Sequence, residues 1–276
     1  MHPTARDYRA KTVVQALRSA VFYLAFIGQT AILALIIGTS ALFVPRRTGF
    51  TWALARYWCR SNSWLMQHIV GIGTEVTGEE NIPPGGCIFA AKHQSDWDVF
   101  AIFPYTERPA YIVKRELMRI PFFGRAARSL GCIEVDRSRG GDALAGLVAN
   151  ARKAIDEGAR IVIFPEGTRR APGAPPDYRF GVARLYAELG VPVVPVALNS
   201  GLFWGRNSLI LWPGTAEARF LEPIQPGLAP QDMLARLKSA IESESDRLIR
   251  NAYRAGLDRP LPPDMRERLE TLAQAD

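Results

Sequence analysis

The sequence predicts an α/β domain, a mostly parallel or mixed sheet flanked by helices, preceded by an N-terminal membrane-anchoring helical segment. Three observations carry that prediction. From residue 75 onward, short apolar runs alternate with helical patterns, the alternation that builds a buried sheet covered by helices. Ahead of it, 27 uncharged residues lie between Arg18 and Arg46, where about 20 apolar residues suffice to cross a bilayer. The net charge of +7 belongs to residues 1–74, which hold eight Lys or Arg against one acid, Asp7; the rest of the chain carries 26 of each sign.

Taken in order, the N-terminal segment 1–74 reads as membrane-anchoring helices. Its apolar core exceeds the 7–15 residues of a signal peptide, so a retained anchor is favoured over cleavage or a buried helix, and Gln29 and the glycines leave a kinked or re-entrant course open. Basic residues flank both ends, so they do not set an orientation. The stretch 51–72, with Trp52, Tyr57, Trp58 and Trp64 beside Arg56 and Arg60, reads as an interfacial helix or an ordinary amphipathic one. Basic charge confined to this segment suits an anionic membrane surface and argues against nucleic acid as a partner.

Within a main domain at 75–257, strands are expected at 86–91, 110–113, 132–135, 160–164, 193–198 and 209–212. Helices are expected at 141–157, after Gly181 and near 230–250, the last beginning after Pro230. The two prolines of VPVVPVAL (191–198) suggest an edge or strand ends. The tail 258–276 is expected to be peripheral. A composition of 48% hydrophobic and 22% charged residues excludes disorder. Cys59, Cys87 and Cys132 are scattered, with no Cys/His cluster, so no metal site is expected.

The chemistry concentrates in three stretches. In KHQSDWD (92–98), His93 and Asp98 are five apart, wrong for one helix face and for one strand face. They meet only if the chain turns between them. Ser95 followed three residues later by Asp98 has the spacing of a capping box, so a strand, a loop carrying His93 and a helix from about Asp96 are expected. The simpler alternative is that Asp98 only caps the helix. FPEGTR (164–169) ends an apolar strand, where ligands bind in open α/β sheets. Arg169 suits a phosphate and Gly167 lets backbone approach a ligand; the alternative is a Glu166–Arg169 ion pair in a tight turn. KRELMRIPFFGRAARSLGCIEVDR (114–137) bends at Pro121 and Gly124 and ends a strand at Asp136–Arg137. No G-x-S-x-G elbow accompanies Ser95, so His93 is better suited to activating a substrate hydroxyl.

These stretches, followed by VPVVPVAL, resemble the four ordered blocks of the 1-acyl-sn-glycerol-3-phosphate acyltransferases within the glycerolipid acyltransferase group. The resemblance covers about residues 75–220. It implies direct acyl transfer from acyl-CoA or acyl-carrier protein, used as substrate with no cofactor, to the sn-2 hydroxyl of a lysophosphatidate-like acceptor, giving phosphatidate. His93 would be the general base and Asp98 its orienting partner. Arg137, Glu166, Gly167, Thr168 and Arg169 would bind the acceptor. The site is expected on the cytoplasmic face of the inner membrane. Lys92 stands where Asn is common in the family, Asp96 adds an acid to the loop, and Arg179 stands where Lys is common. These departures leave another lysophospholipid or a lyso-aminolipid open as acceptor. A lipid or thioester hydrolase and a non-catalytic lipid-binding protein are the rival classes.

Overall fold

The computed structural model describes residues 5–43, 49–136 and 141–274. Three apolar runs form its central strands. β1 (Ile72–Thr77) is followed in the chain by β2 (Ile88–Ala91), β3 (Pro109–Lys114), β4 (Ile133–Val135), β5 (Arg160–Ile163), β6 (Val193–Leu198) and β7 (Gly214–Phe220). β2, β5 and β6 are buried throughout, as strands of a parallel sheet covered on both faces must be. The sheet order is β1-β7-β6-β2-β5-β3-β4, and every neighbouring pair is parallel except β6 with β7.

Alternate side chains of each strand feed two cores, as a period of two requires. Ile88, Ala90, Ile161 and Ile163 meet α6 (Gly141–Asp156), α7 (Gly181–Leu189) and the first half of α8 (Pro230–Ala255) through residues such as Leu147, Leu185 and Leu237. Phe89, Ala91 and Val162 meet the opposite layer. There α1 (Ala5–Ser40) supplies Phe22, α2 (Gly49–Leu65) supplies Trp52, α3 (Trp97–Ile102) supplies Trp97 and Phe100, and α9 (Pro263–Gln274) supplies Met265 and Leu269. Between β3 and β4 lie the short helices α4 (Arg115–Met118) and α5 (Phe123–Ser129).

Several expectations need correction. The segment 209–212 is not a strand. Its Leu211 N–H donates to Ser19 Oγ of α1 and its Trp212 N–H to the Phe203 carbonyl, so its backbone is engaged away from the sheet, and Pro213 follows. The strand is β7, one turn later. β6 is interior rather than an edge. Its Pro195 is tolerated because it falls in a gap, between the Val193–Ile224 bridge and the β7 ladder that starts at Val196, where no N–H is required. β1 lies outside every expected strand: IGTEVT is largely exposed and lacks an apolar run.

α1 has an inverted amphipathic character. Gln15, Ser19, Phe22, Leu33 and Ile37 are buried against the domain, whereas Leu17, Val21, Leu24, Ile27 and Ile32 are exposed. Several of its polar side chains face inward to partners: Gln15 Nε2 donates to the Val70 carbonyl at 2.9 Å, Tyr23 Oη to the Ser208 carbonyl at 2.5 Å, and Gln29 Nε2 to Ser61 Oγ at 2.8 Å. Trp58 Nε1 of α2 donates to Thr30 Oγ1 at 2.9 Å. Near its end, Gly38 runs so close to Phe122 that a Cβ there would lie 2.7 Å from the Phe122 carbonyl oxygen.

Candidate active site

Because β6, β2 and β5 are adjacent and parallel, their C-terminal ends open at one edge of the sheet. From these ends emerge Ser200, the loop 92–96 and the turn 164–169. An open parallel sheet gathers ligand-binding loops at this edge.

The chain turns after His93 as its spacing requires. His93 Nδ1 lies 2.9 Å from Asp98 Oδ2. The same Oδ2 accepts the backbone N–H groups of Gln94 and Ser95 at 2.7 and 2.9 Å, and Oδ1 accepts the hydroxyls of Ser95 at 3.1 Å and Ser200 at 2.5 Å. Ser95 Oγ accepts the Trp97 N–H at 3.2 Å, so Ser95 and Asp98 close a reciprocal capping box. Asp98 therefore caps α3 and holds His93 with one fully buried carboxylate. The His93 ring stacks on Phe164, centroids 4.0 Å apart. With Nδ1 engaged, Nε2 is the ring nitrogen left to exchange a proton.

His93 lines a cavity of about 1220 Å³. Lys114, Thr168, Arg169, Arg179, Arg206, Asp96 and Glu116 belong to its polar part, and Leu33, Ile37, Trp58, Phe103, Phe123 and Leu130 to its apolar wall. Gly167, at φ +65°, also lines it, and its N–H closes the turn onto the Phe164 carbonyl at 2.9 Å.

Two ionic assemblies join the His93 loop to the 164–169 turn. The Glu166–Arg169 pair considered from sequence is replaced by pairs across loops. Lys92, buried, donates to Glu166 Oε1 at 3.1 Å and to Glu242 of α8 at 2.8 and 2.9 Å; Tyr178 Oη donates to Glu242 at 2.7 Å. Burial raises the Glu166 carboxyl above its usual range, partly offset by Lys92, and burial beside Glu242 raises the Tyr178 phenol. On the open side, Arg169 Nη1 donates to Asp96 Oδ2 at 2.7 Å. Burial raises Asp96 as well, and Arg169 and His93 oppose the rise.

Of the residues singled out in the sequence, His93, Gly167, Thr168 and Arg169 share the cavity wall, and Asp98 stands directly behind His93. Glu166 is buried in the Lys92 cluster and is absent from that wall. Arg137 lies outside the described residues. Ser200, Tyr178, Glu242 and Arg206 were not anticipated. Ser200 follows VPVVPVAL by two residues, but only the β6–β2 neighbourhood gives it a partner. Among the described residues, no group of three or more His, Cys, Asp or Glu is placed to hold a metal ion.

The Acyltransferase family model matches residues 73–199. A 1-acyl-sn-glycerol-3-phosphate acyltransferase of Pseudomonas aeruginosa is 36% identical over 210 residues, which span 75% of this chain and 80% of that protein. The chain belongs to the 1-acyl-sn-glycerol-3-phosphate acyltransferase family. The human 1-acyl-sn-glycerol-3-phosphate acyltransferase alpha is 30% identical over 174 residues, 62% of each chain. The crystal structure of the Thermotoga maritima 1-acyl-sn-glycerophosphate acyltransferase superposes with a TM-score of 0.69 at 20% identity, over 86% of this chain and 98% of that one. That likeness shows that the two chains share the α/β fold described above.

Proposed function

We propose that this chain is a 1-acyl-sn-glycerol-3-phosphate O-acyltransferase, moving a fatty acyl chain from a thioester to the sn-2 hydroxyl of lysophosphatidate and giving phosphatidate. The observation that carries the reading is the His93 Nδ1–Asp98 Oδ2 contact, with His93 in the wall of a cavity that has both cationic and apolar lining. His93 Nε2 takes the proton of the sn-2 hydroxyl as that oxygen attacks the thioester carbonyl carbon. Asp98 fixes the tautomer and stabilises the imidazolium. The tetrahedral intermediate collapses, the C–S bond breaks, and the proton on His93 passes to the departing thiolate. The donor is acyl-CoA or acyl-carrier protein.

Arg137, Arg169, Thr168 and Gly167 are assigned to the acceptor phosphate, since a guanidinium fork and a close backbone suit that group. Glu166 serves the same site indirectly, holding the turn through Lys92. The apolar wall, contributed partly by α1 and α5, suits the acyl chains.

An apolar stretch of α1, Ala10–Ser40, is long enough to cross a membrane. Its inward polar contacts favour another arrangement, in which α1 lies along the domain with its outer face in lipid. Exposed Leu117, Ile120 and Phe122, among Lys114, Arg119 and Arg125, extend that surface; apolar anchors ringed by cations suit an anionic leaflet. A cytosolic donor places this surface on the cytoplasmic face of the inner membrane.

Thiol release from an acyl-CoA by membranes containing the protein tests the reading. Release that depends on lysophosphatidate, and that falls by about 100-fold or more in His93→Ala, is expected. Release indifferent to the acceptor would instead identify a thioesterase.

A further inference from the structure

Arg169 is the last residue of the 164–169 turn, and a carboxylate already holds it. Asp96 Oδ2 accepts from Arg169 Nη1 at 2.7 Å, and both residues line the cavity beside His93. Asp96 immediately precedes α3, but its side chain makes no capping hydrogen bond there; Ser95 and Asp98 supply the cap. Its carboxylate is therefore not committed to the fold of the loop. It is half-buried, and burial disfavours its charge while Arg169 and His93 favour it. Arg179 and Arg206 stand along the same cavity, and Asp98 lies behind His93.

We propose that Asp96 is a specificity-determining residue that acts as an internal competitor for the acceptor phosphate. It occupies Arg169 until the phosphate arrives, and it selects among headgroups by their charge. The inference rests on the acyltransferase reading above. A phosphate monoester near −2 cannot share Arg169 with an adjacent carboxylate without like-charge repulsion, so one ion pair is exchanged for another. The product carries the same phosphate, so the returning Asp96 also favours its departure. A zwitterionic headgroup carries one less negative charge on its phosphate and brings a cation that can pair with the displaced Asp96, so the competition is weaker.

The test compares the full-length protein with Asp96→Asn in mixed micelles, measuring thiol release against the mole fraction of lysophosphatidate and of lysophosphatidylethanolamine. Asp96→Asn is expected to lower KM for lysophosphatidate by about threefold to tenfold, with a smaller change in kcat, and to deepen inhibition by phosphatidate by a similar factor. KM for lysophosphatidylethanolamine, if turned over, should fall by less. The gain should shrink in an Arg169→Ala background, because no donor is then released. An unchanged or raised KM for lysophosphatidate in Asp96→Asn would overturn the proposal, and so would full additivity with Arg169→Ala. Asp96→Ser serves as the second variant should the amide disturb the loop. A wild-type protein without lysophosphatidate-dependent release would remove the acyltransferase reading as well; an active wild type with an indifferent Asp96→Asn would remove this proposal alone.

Discussion

Lys92 stands one residue before His93 and Asp96 three residues after it, and each makes an ion pair with the 164–169 turn. The first pair is sealed: Lys92 and Glu166 have almost no exposed side-chain surface, and Glu242 and Tyr178 close the cluster from α8 and the loop before α7. The second is open, with Asp96 and Arg169 in the cavity wall. A third tie, from the Arg170 N–H to the His93 carbonyl at 2.8 Å, runs between them. Two pairs of the same chemistry thus serve opposite ends. A charge pair withdrawn from water is costly to break, so it fixes a loop. A charge pair in contact with water is worth little, so a ligand can replace it.

Substitutions can break or sharpen that contrast. The largest effect is expected on His93's own partner. Asp98→Asn should lower kcat by about 100- to 10,000-fold, read as lysophosphatidate-dependent thiol release, with KM for the acceptor moving far less. Next is the sealed pair. Lys92→Met leaves the buried Glu166 and the partly buried Glu242 without their shared cation, and should cost about 3–5 kcal/mol in denaturant unfolding. Adding Glu166→Gln should restore part of that loss, since the two residues act as a pair.

The sealed cluster should also respond to pH. Burial raises Glu166 in the folded state, so its contribution is present at acid pH and is lost as pH rises through the folded value. Unfolding of Glu166→Gln, followed across that range, should show a shallower slope. Ser200→Ala removes one hydroxyl from Asp98 Oδ1 and should cost about 1 kcal/mol of stability, with His93 still held by Oδ2. The smallest effect on stability belongs to the open pair. Asp96→Asn should shift unfolding by about 0–1 kcal/mol, and high salt should erase the difference.

What the sequence disclosed follows the range of the contacts. His93, Ser95 and Asp98 were legible because six residues and one capping box contain the whole turn. The central strands were legible because burial on both faces leaves unbroken apolar runs. β1 was hidden because a largely exposed edge strand needs no such run, and 209–212 misled because Leu211 and Trp212 are buried outside the sheet. In the site, Glu166 and Arg169 share a turn, which suggested a pair. Their partners come from the neighbouring loop, because β2 and β5 lie side by side. Ser200 and Glu242 reach the site from more than 100 residues away through strand order and helix packing, and no spacing encodes either.

The outer face of α1 has a kinetic consequence. If lipid covers that face as proposed, then with Leu33, Ile37 and Trp58 lining the cavity the acceptor's hydrocarbon tail need not leave its leaflet to reach His93. Encounters then take place in two dimensions. The quantity that saturates the enzyme is the surface density of the lysolipid, so adding inert phospholipid at constant bulk concentration should slow turnover by dilution alone.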